Sequence, residues 1–401
     1  MADALTAPEF PMPRSSRCPF DPPPALTELR EKGPLAKVRL WDGSEPWLVT
    51  TYAEQRALLG DPRVSADPDN PGYPTKASPG SGDGKLSFIM MDDPEHARLR
   101  RMVTGPFAIR KVEALRPAVQ KITDDLIDGL LAGPNPVDLV EAFALPLPSL
   151  VICELLGVPY ADHDFFQSNT KTMILRTATP EERMAASQAI GGYLGALLEE
   201  RVTNPRDDLI SGIAGRITAG ELDHRQATEM ALLLLIAGHE TTANMIALGT
   251  LALLRNPGQL ALLRRGDDPK FVAGAVEELL RYLHITHLGR RRAVTEDIEI
   301  AGRTVRAGEG LIMANEIGNR DPEAFPDPDR LDLTRDARRH VAFGFGVHQC
   351  LGQPLARMEL QVVYGTLYKR LPDLKLAIPF EDVRFKDDAF VYGVHSLPVT
   401  W

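Results

Sequence analysis

Apolar residues recur every three or four positions through residues 112–131, 138–156, 160–175 and 181–202, with Gly and Pro between the runs. That spacing predicts a helical body. Residues 222–255 predict the longest helix: Asp223 with Gln226 makes a capping box, and Asn256-Pro257 ends the run. About thirty residues would span roughly 45–50 Å. Residues 231–254 are nearly uncharged, but His239-Glu240-Thr241-Thr242-Ala243-Asn244 sits in their middle. Those side chains are costly in lipid, so a buried central helix is expected rather than a membrane span. Asp92-Asp93-Pro94-Glu95 opens another helix, with Pro and acids in its first turn. Residues 25–32 predict a short one. Alternating stretches at 36–41 and 47–50, around Asp42-Gly43, predict two strands; 298–305 reads as a hairpin and 383–399 as strand and turn. Residues 1–24 are Pro-rich and expected to be extended, and 61–85 form a long Pro-, Gly-, Asp- and Ser-rich loop.

Composition narrows the class. The chain has 401 residues, 44% hydrophobic and 25% charged, as an ordinary globular protein does. Its net charge of −10 disfavours nucleic acid as a partner. The cysteines Cys18, Cys153 and Cys350 are odd in number and far apart, so no disulfide framework is expected and a cytoplasmic setting fits. The start, Met1-Ala2-Asp3-Ala4-Leu5, has neither the basic nor the apolar region of a signal peptide.

The candidate chemistry centres on Phe343-Gly344-Phe345-Gly346-Val347-His348-Gln349-Cys350-Leu351-Gly352. Free Cys is among the most buried residue types, so Cys350 out of context would read as core. Here it follows a glycine-rich loop and precedes Pro354-Leu355-Ala356-Arg357-Met358-Glu359, which predicts a helix. A thiolate at a helix N-terminus is favoured by the dipole and by unpaired amides, and can bind a metal or act as a nucleophile. A dinucleotide loop is excluded, because Gln349 stands where the third glycine should be. His239-Glu240 does not make a zinc peptidase motif, because Ala243 replaces the second His. Elsewhere, His96 and Arg100 share a helix face, as do Glu278 and Arg281. Arg290 and Arg292 should share one strand face, with Arg291 on the other. Thr241 can bond back to the carbonyl of Ala237, loosening the helix beside Gly238, and Glu240 supplies an adjacent acid.

Taken in order, these stretches resemble the cytochrome P-450 superfamily over nearly the whole chain. The resemblance implies a mainly α fold with small β-sheets, a triangular helical prism around a long central helix, in one domain over 1–401. It implies heme b (iron protoporphyrin IX) with Cys350 as metal ligand, and Phe343, Gly344, Gly352, Ala237 and Gly238 against the cofactor. His96, Arg100, Arg292 (with Arg290 the alternative register) and His348 would hold the propionates. Glu240 and Thr241 would manage protons. Glu278, Arg281 and Arg330 would form a buried network behind the Cys loop. Leu233, Ile236, Ala237, Leu288 and Val391 would line a substrate pocket, with 61–90 and 160–202 as its lid.

The implied reaction is a monooxygenation: one atom of O2 enters a C–H or C=C bond of a bulky, mostly apolar molecule. A polyketide or macrolide, a terpenoid, a steroid-like compound or a xenobiotic would fit, as in actinomycete secondary metabolism. Electrons would come from a separate ferredoxin and ferredoxin reductase, and the protein would be a cytoplasmic monomer with no membrane contact. The alternatives are a peroxide-driven peroxygenase, against which the Glu240-Thr241 pair counts, and a haem sensor or electron carrier without turnover.

Overall fold

The computed structural model describes residues 7–15, 18–74, 87–174, 178–265, 268–387 and 389–401. The expected lid segments therefore lie partly outside the described residues, at 75–86 and 175–177. The fold is mainly α with small sheets. Its helices are α1 (Pro24–Lys32), α2 (Tyr52–Leu59), α3 (Glu95–Thr104), α4 (Ile109–Ala132), α5 (Pro146–Leu156), α6 (His163–Ile174) and α7 (Pro180–Thr203). They continue with α8 (Leu209–Thr218), α9 (His224–Arg255), α10 (Pro257–Arg265), α11 (Pro269–Tyr282), α12 (Asn315–Gly318) and α13 (Gln353–Arg370). The strands are β1 (Leu35–Lys37), β2 (Trp47–Val49), β3 (Val64–Ser65), β4 (Val137–Asp138) and β5 (Arg290–Val294). They end with β6 (Ile298–Ile300), β7 (Arg303–Val305), β8 (Gly310–Met313), β9 (Lys375–Leu376) and β10 (Pro398–Thr400).

Two compact units emerge, each built from separate stretches of chain. The first is Met1–Ala97, Arg281–Arg330 and Arg339–Cys350; the second is Arg98–Leu280, Leu331–Arg338 and Leu351–Trp401. The first holds the sheet β1-β2-β8-β5-β3, in which β2 and β8 run parallel. Strand alternation divides its side chains between two cores. Leu48 and Ile312 join Phe10, Met12, Leu26 and Val38, while Val49, Leu311 and Met313 join Leu58, Leu59 and Val294. Buried Gln55 ties α2 to the sheet, donating to the carbonyls of Val49 (3.0 Å) and Ala314 (2.8 Å).

The second unit is built around α9. The capping box is present: Gln226 N donates to Asp223 Oδ1 at 2.7 Å, and Asp223 N to Gln226 Oε1 at 3.3 Å. Helices α5, α7, α8, α10 and α13 pack on α9. Gly249 of α9 faces Tyr364 of α13, whose hydroxyl donates to the carbonyl of Met245 at 2.7 Å. A Cβ at Gly249 would lie 1.9 Å from that hydroxyl. Of the described helices, α9 alone is long and apolar enough to cross a membrane, and 72% of its apolar window is buried inside the protein.

Two expectations change here. Residues 138–156 are not one helix: β4 is followed by a π turn at Val140–Ala144 and then by α5. Pro146 and Pro148 lack amide hydrogens, so they suit the start of a helix and not its interior. Among the described residues, 383–399 hold less strand than expected: β10, an isolated bridge between Phe385 and Val394, and a bridge residue at Ala389. The spacing also gave no warning of α2, α8 and α10. Helix α8 is set by a cap, with Ser211 N donating to Asp208 Oδ1 at 2.7 Å.

Candidate active site

In the first unit, two glycines shape the Cys350 loop. Gly344 and Gly346 have φ of 73° and 74°, where other residues are strained. Both are also close-packed: a Cβ would come 3.0 Å from Arg290 Nε at Gly344 and 2.2 Å from the Leu59 carbonyl oxygen at Gly346. Cys350 N closes the loop on the Phe343 carbonyl at 2.9 Å. Arg290 Nη2 donates to the Ala342 carbonyl at 2.9 Å, and Asn319 Oδ1 accepts from Val341 N at 2.8 Å. The loop therefore holds Cys350 exposed, whereas Cys153 is buried and Cys18 half-buried. Burial pushes the Cys153 thiol up to about 12 and raises that of Cys18 as well. A thiolate role falls to Cys350, three residues before α13.

Cationic groups gather in the same unit. Strand β5 alternates as expected, with Arg291 buried and Arg290 and Arg292 half-buried on the opposite face. Burial, with Arg292 beside it, lowers the Arg290 guanidinium to about 10, while Cys350 acts in the opposite sense. Burial also lowers Arg292, against the pull of Tyr73 and Asp92. His96 is 2% exposed, its ring lies 4.1 Å from that of His348, and its Nδ1 is 3.1 Å from Asp93 Oδ1. His96 Nε2 and Arg290 Nε are buried without a protein partner. Buried polar atoms are almost always satisfied, so two such nitrogens suit an anionic group from outside the chain. Arg100 is half-buried, one turn after His96 on α3.

Among the described residues, no group of three or more His, Cys, Asp or Glu side chains could hold a metal ion. A metal at Cys350 must then arrive with other ligands of its own, as haem iron does. Carboxylate propionates would also meet the orphaned nitrogens with charge-assisted bonds. The residues present fit that group.

In the second unit, α9 is buried along most of its length but exposes Ala237, with Ile236, Gly238 and Thr241 half-buried. Thr241 Oγ1 donates to the Ala237 carbonyl at 2.8 Å, as expected, yet the helix stays α-helical through this turn. A Cβ at Gly238 would lie 2.9 Å from Ile152 Cδ1, so the glycine also serves the packing of α5. Leu233 and Leu288 are buried at 3% and 8% exposure, and Val391 is half-buried.

Glu240 is not a loose acid. It is 2% exposed, and its Oε1 accepts from Lys386 Nζ and from Asn244 Nδ2, both at 2.9 Å. Neither partner was legible as functional. Beside it, His239 is buried, which lowers its pKa against the pull of Glu240.

To the expected network of Glu278, Arg281 and Arg330 the structure adds Asp332 and Arg335. Fully buried Glu278 accepts from Asp332 N at 2.9 Å and from Arg335 Nε at 3.2 Å. Arg330 is exposed and offers its carbonyl to Arg281. Arg281 Nη1 also donates to the carbonyls of Asn319 (2.9 Å) and Pro328 (2.8 Å). Arg335 thus brings a guanidinium to the glutamate, a partner that the sequence reading did not include.

A mainly α fold, a glycine-turned loop presenting one exposed thiol, and buried nitrogens of His96 and Arg290 with no partner among the described residues define a protein of the haem-thiolate class. The comparisons with known proteins agree. The cytochrome P450 family model matches residues 268–391, which hold Glu278, β5 and Cys350. Cytochrome P450 GfsF of Streptomyces halstedii is 54% identical over 99% of this chain and 97% of its own. Its crystal structure has a TM-score of 0.93, covering 98% of this chain and all of that one. Cytochrome P450-SU2 of Streptomyces griseolus is 55% identical, covering 100% of this chain and 98% of its own. The mycinamicin VIII C21 methyl hydroxylase of Micromonospora griseorubida, solved with mycinamicin VIII bound, is 41% identical. That structure has a TM-score of 0.91 and covers 98% of this chain and 100% of its own. The chain belongs to the cytochrome P450 family and is a monooxygenase, as the Cys350 motif implied.

Proposed function

We propose that Cys350 holds heme b and that the enzyme hydroxylates or epoxidises a bulky, mostly apolar small molecule of secondary metabolism. One observation carries the reading: of three cysteines, only Cys350 is exposed, on a loop whose two left-handed glycines leave no room for side chains. His96, His348, Arg292 and Arg100 would anchor the propionates, with Arg290 beside them. The haem supplies the activation of O2, and the chain supplies position and electrostatics. Electrons would come from a ferredoxin and its reductase, and the enzyme would act as a cytoplasmic monomer. That a relative of 41% identity is named for mycinamicin VIII supports a large substrate.

The test is a screen for compounds that shift the visible spectrum of the haem-loaded protein. Product analysis under isotopically labelled O2, with ferredoxin and reductase supplied, then follows. One labelled atom per product is expected; label entering only from peroxide would replace this reading with a peroxygenase.

Thr241 and Glu240 would keep protons moving to the site. In Thr241→Ala, substrate binding and reduction should persist, because neither needs the hydroxyl. Hydrogen peroxide released per product should rise about tenfold or more, as befits a lost proton-transfer group. An unchanged ratio of product to reductant would remove Thr241 from this role.

Ala237 is exposed midway along α9, and enlarging it should intrude on the substrate. In Ala237→Leu the haem content should match the parent. Crowding of about 1–3 kcal/mol should move oxidation to another carbon or weaken binding. The same product at the same rate and affinity would show that this face does not line the pocket.

A further inference from the structure

Glu240 lies in the middle of α9, yet its carboxylate is held by a residue 146 positions away. Lys386 is 8% exposed and reaches Glu240 Oε1 from the segment joined by the Phe385–Val394 bridge. That segment is itself fixed, since Lys386 N donates to the Gly393 carbonyl at 2.9 Å. Gly393 in turn is pressed on α9: a Cβ there would lie 1.7 Å from Asn244 Oδ1. Asn244 completes the arrangement, giving its Nδ2 both to Glu240 Oε1 (2.9 Å) and to the Glu240 carbonyl (2.8 Å). Three contacts thus lock one oxygen of the glutamate and the turn that delivers the lysine. The other oxygen, Oε2, is buried with no partner.

A buried acceptor left unsatisfied is costly, and it persists where function needs it. A buried ion pair is likewise a poor source of net stability. Stability therefore explains neither the lone Oε2 nor the choice of lysine. We propose that Lys386 is a positioning residue for the proton chemistry. It pins Glu240 through Oε1 and leaves Oε2 as the single oxygen able to exchange protons beside Thr241. The proposal rests on the acid–alcohol reading of Glu240 and Thr241. It adds that the C-terminal turn, through Lys386 and Gly393, governs how that acid is presented.

The test uses the haem-loaded enzyme with its substrate and redox partners. Lys386→Met should keep haem content and substrate affinity but lower product per reductant roughly tenfold, the scale of a mispositioned proton donor. Its solvent isotope effect on turnover should grow, a change that loss of packing alone would not cause. Lys386→Arg, which keeps the charge, should restore most of the coupling. If Lys386→Met does not retain haem, Lys386→Gln, which keeps a donor without the charge, is judged by the same ratio. Parental coupling in the uncharged variant while Thr241→Ala leaks peroxide overturns the role of Lys386 and leaves the acid–alcohol pair standing. Parental coupling in both overturns both. Failure of Lys386→Arg to restore coupling also overturns the proposal.

Discussion

Cys350→Ala is expected to abolish the thiolate signature of the reduced carbon monoxide complex and to reduce turnover to background. The reason lies in the other cysteines as much as in Cys350. Burial pushes the Cys153 thiol up to about 12, so it cannot supply a thiolate near neutral pH, and Cys18 is shifted the same way. Nor is there a substitute group of His, Cys, Asp and Glu ligands among the described residues. Thiolate donation is what favours O–O cleavage at haem iron, so a variant that still binds haem should do so without that chemistry. The loop should survive the substitution, because its shape comes from Gly344, Gly346 and the Cys350 N to Phe343 carbonyl bond, none of which involves sulfur. Spectra of the reduced complex, with Cys18→Ala as control, check this: a persisting thiolate band in Cys350→Ala would overturn the assignment.

The second large effect is expected at Glu278. Glu278→Ala removes the carboxylate that accepts from Arg335 and from the Asp332 amide, leaving a guanidinium and an amide poorly satisfied. Breaking a buried pair from one side costs about 3–5 kcal/mol, a large part of the 5–15 kcal/mol by which a typical domain is stable. Arg335→Ala should match it, by leaving the buried carboxylate behind. Arg281→Ala strands the carbonyls of Asn319, Pro328 and Arg330 together, so it too should fail to retain haem. Haem content and thermal melting of the three variants decide the matter. A stable, haem-replete Arg335→Ala would remove Arg335 from the network around Glu278.

Arg335 shows where sequence stops being informative: nothing local marks it as the partner of Glu278, 57 residues earlier in the chain. Lys386 was harder still: one lysine in a segment of mixed turn and strand, paired with a glutamate 146 residues away. By contrast, α9 could be placed to within two residues, because its capping box and terminal Asn256-Pro257 are local chemistry. The Cys350 loop was legible for a similar reason, since glycine at left-handed positions is a short-range demand. The missing side chain of Gly238 also makes room for Ile152, a contact that only the packed fold reveals.

The contact between Gly249 and Tyr364 bears on how this enzyme can be re-engineered. The tyrosine hydroxyl occupies the volume of the absent side chain and bonds to the carbonyl of Met245, so it acts as a locating pin between α9 and α13. Laboratory evolution aimed at new substrates will search residues along α9. Ala237, exposed on that helix, can vary in size there, while any substitution at Gly249 must first evict Tyr364 and let one helix slide along the other. A single-residue library will find position 249 intolerant. A paired library that shortens residue 364 at the same time opens a mutational path past it.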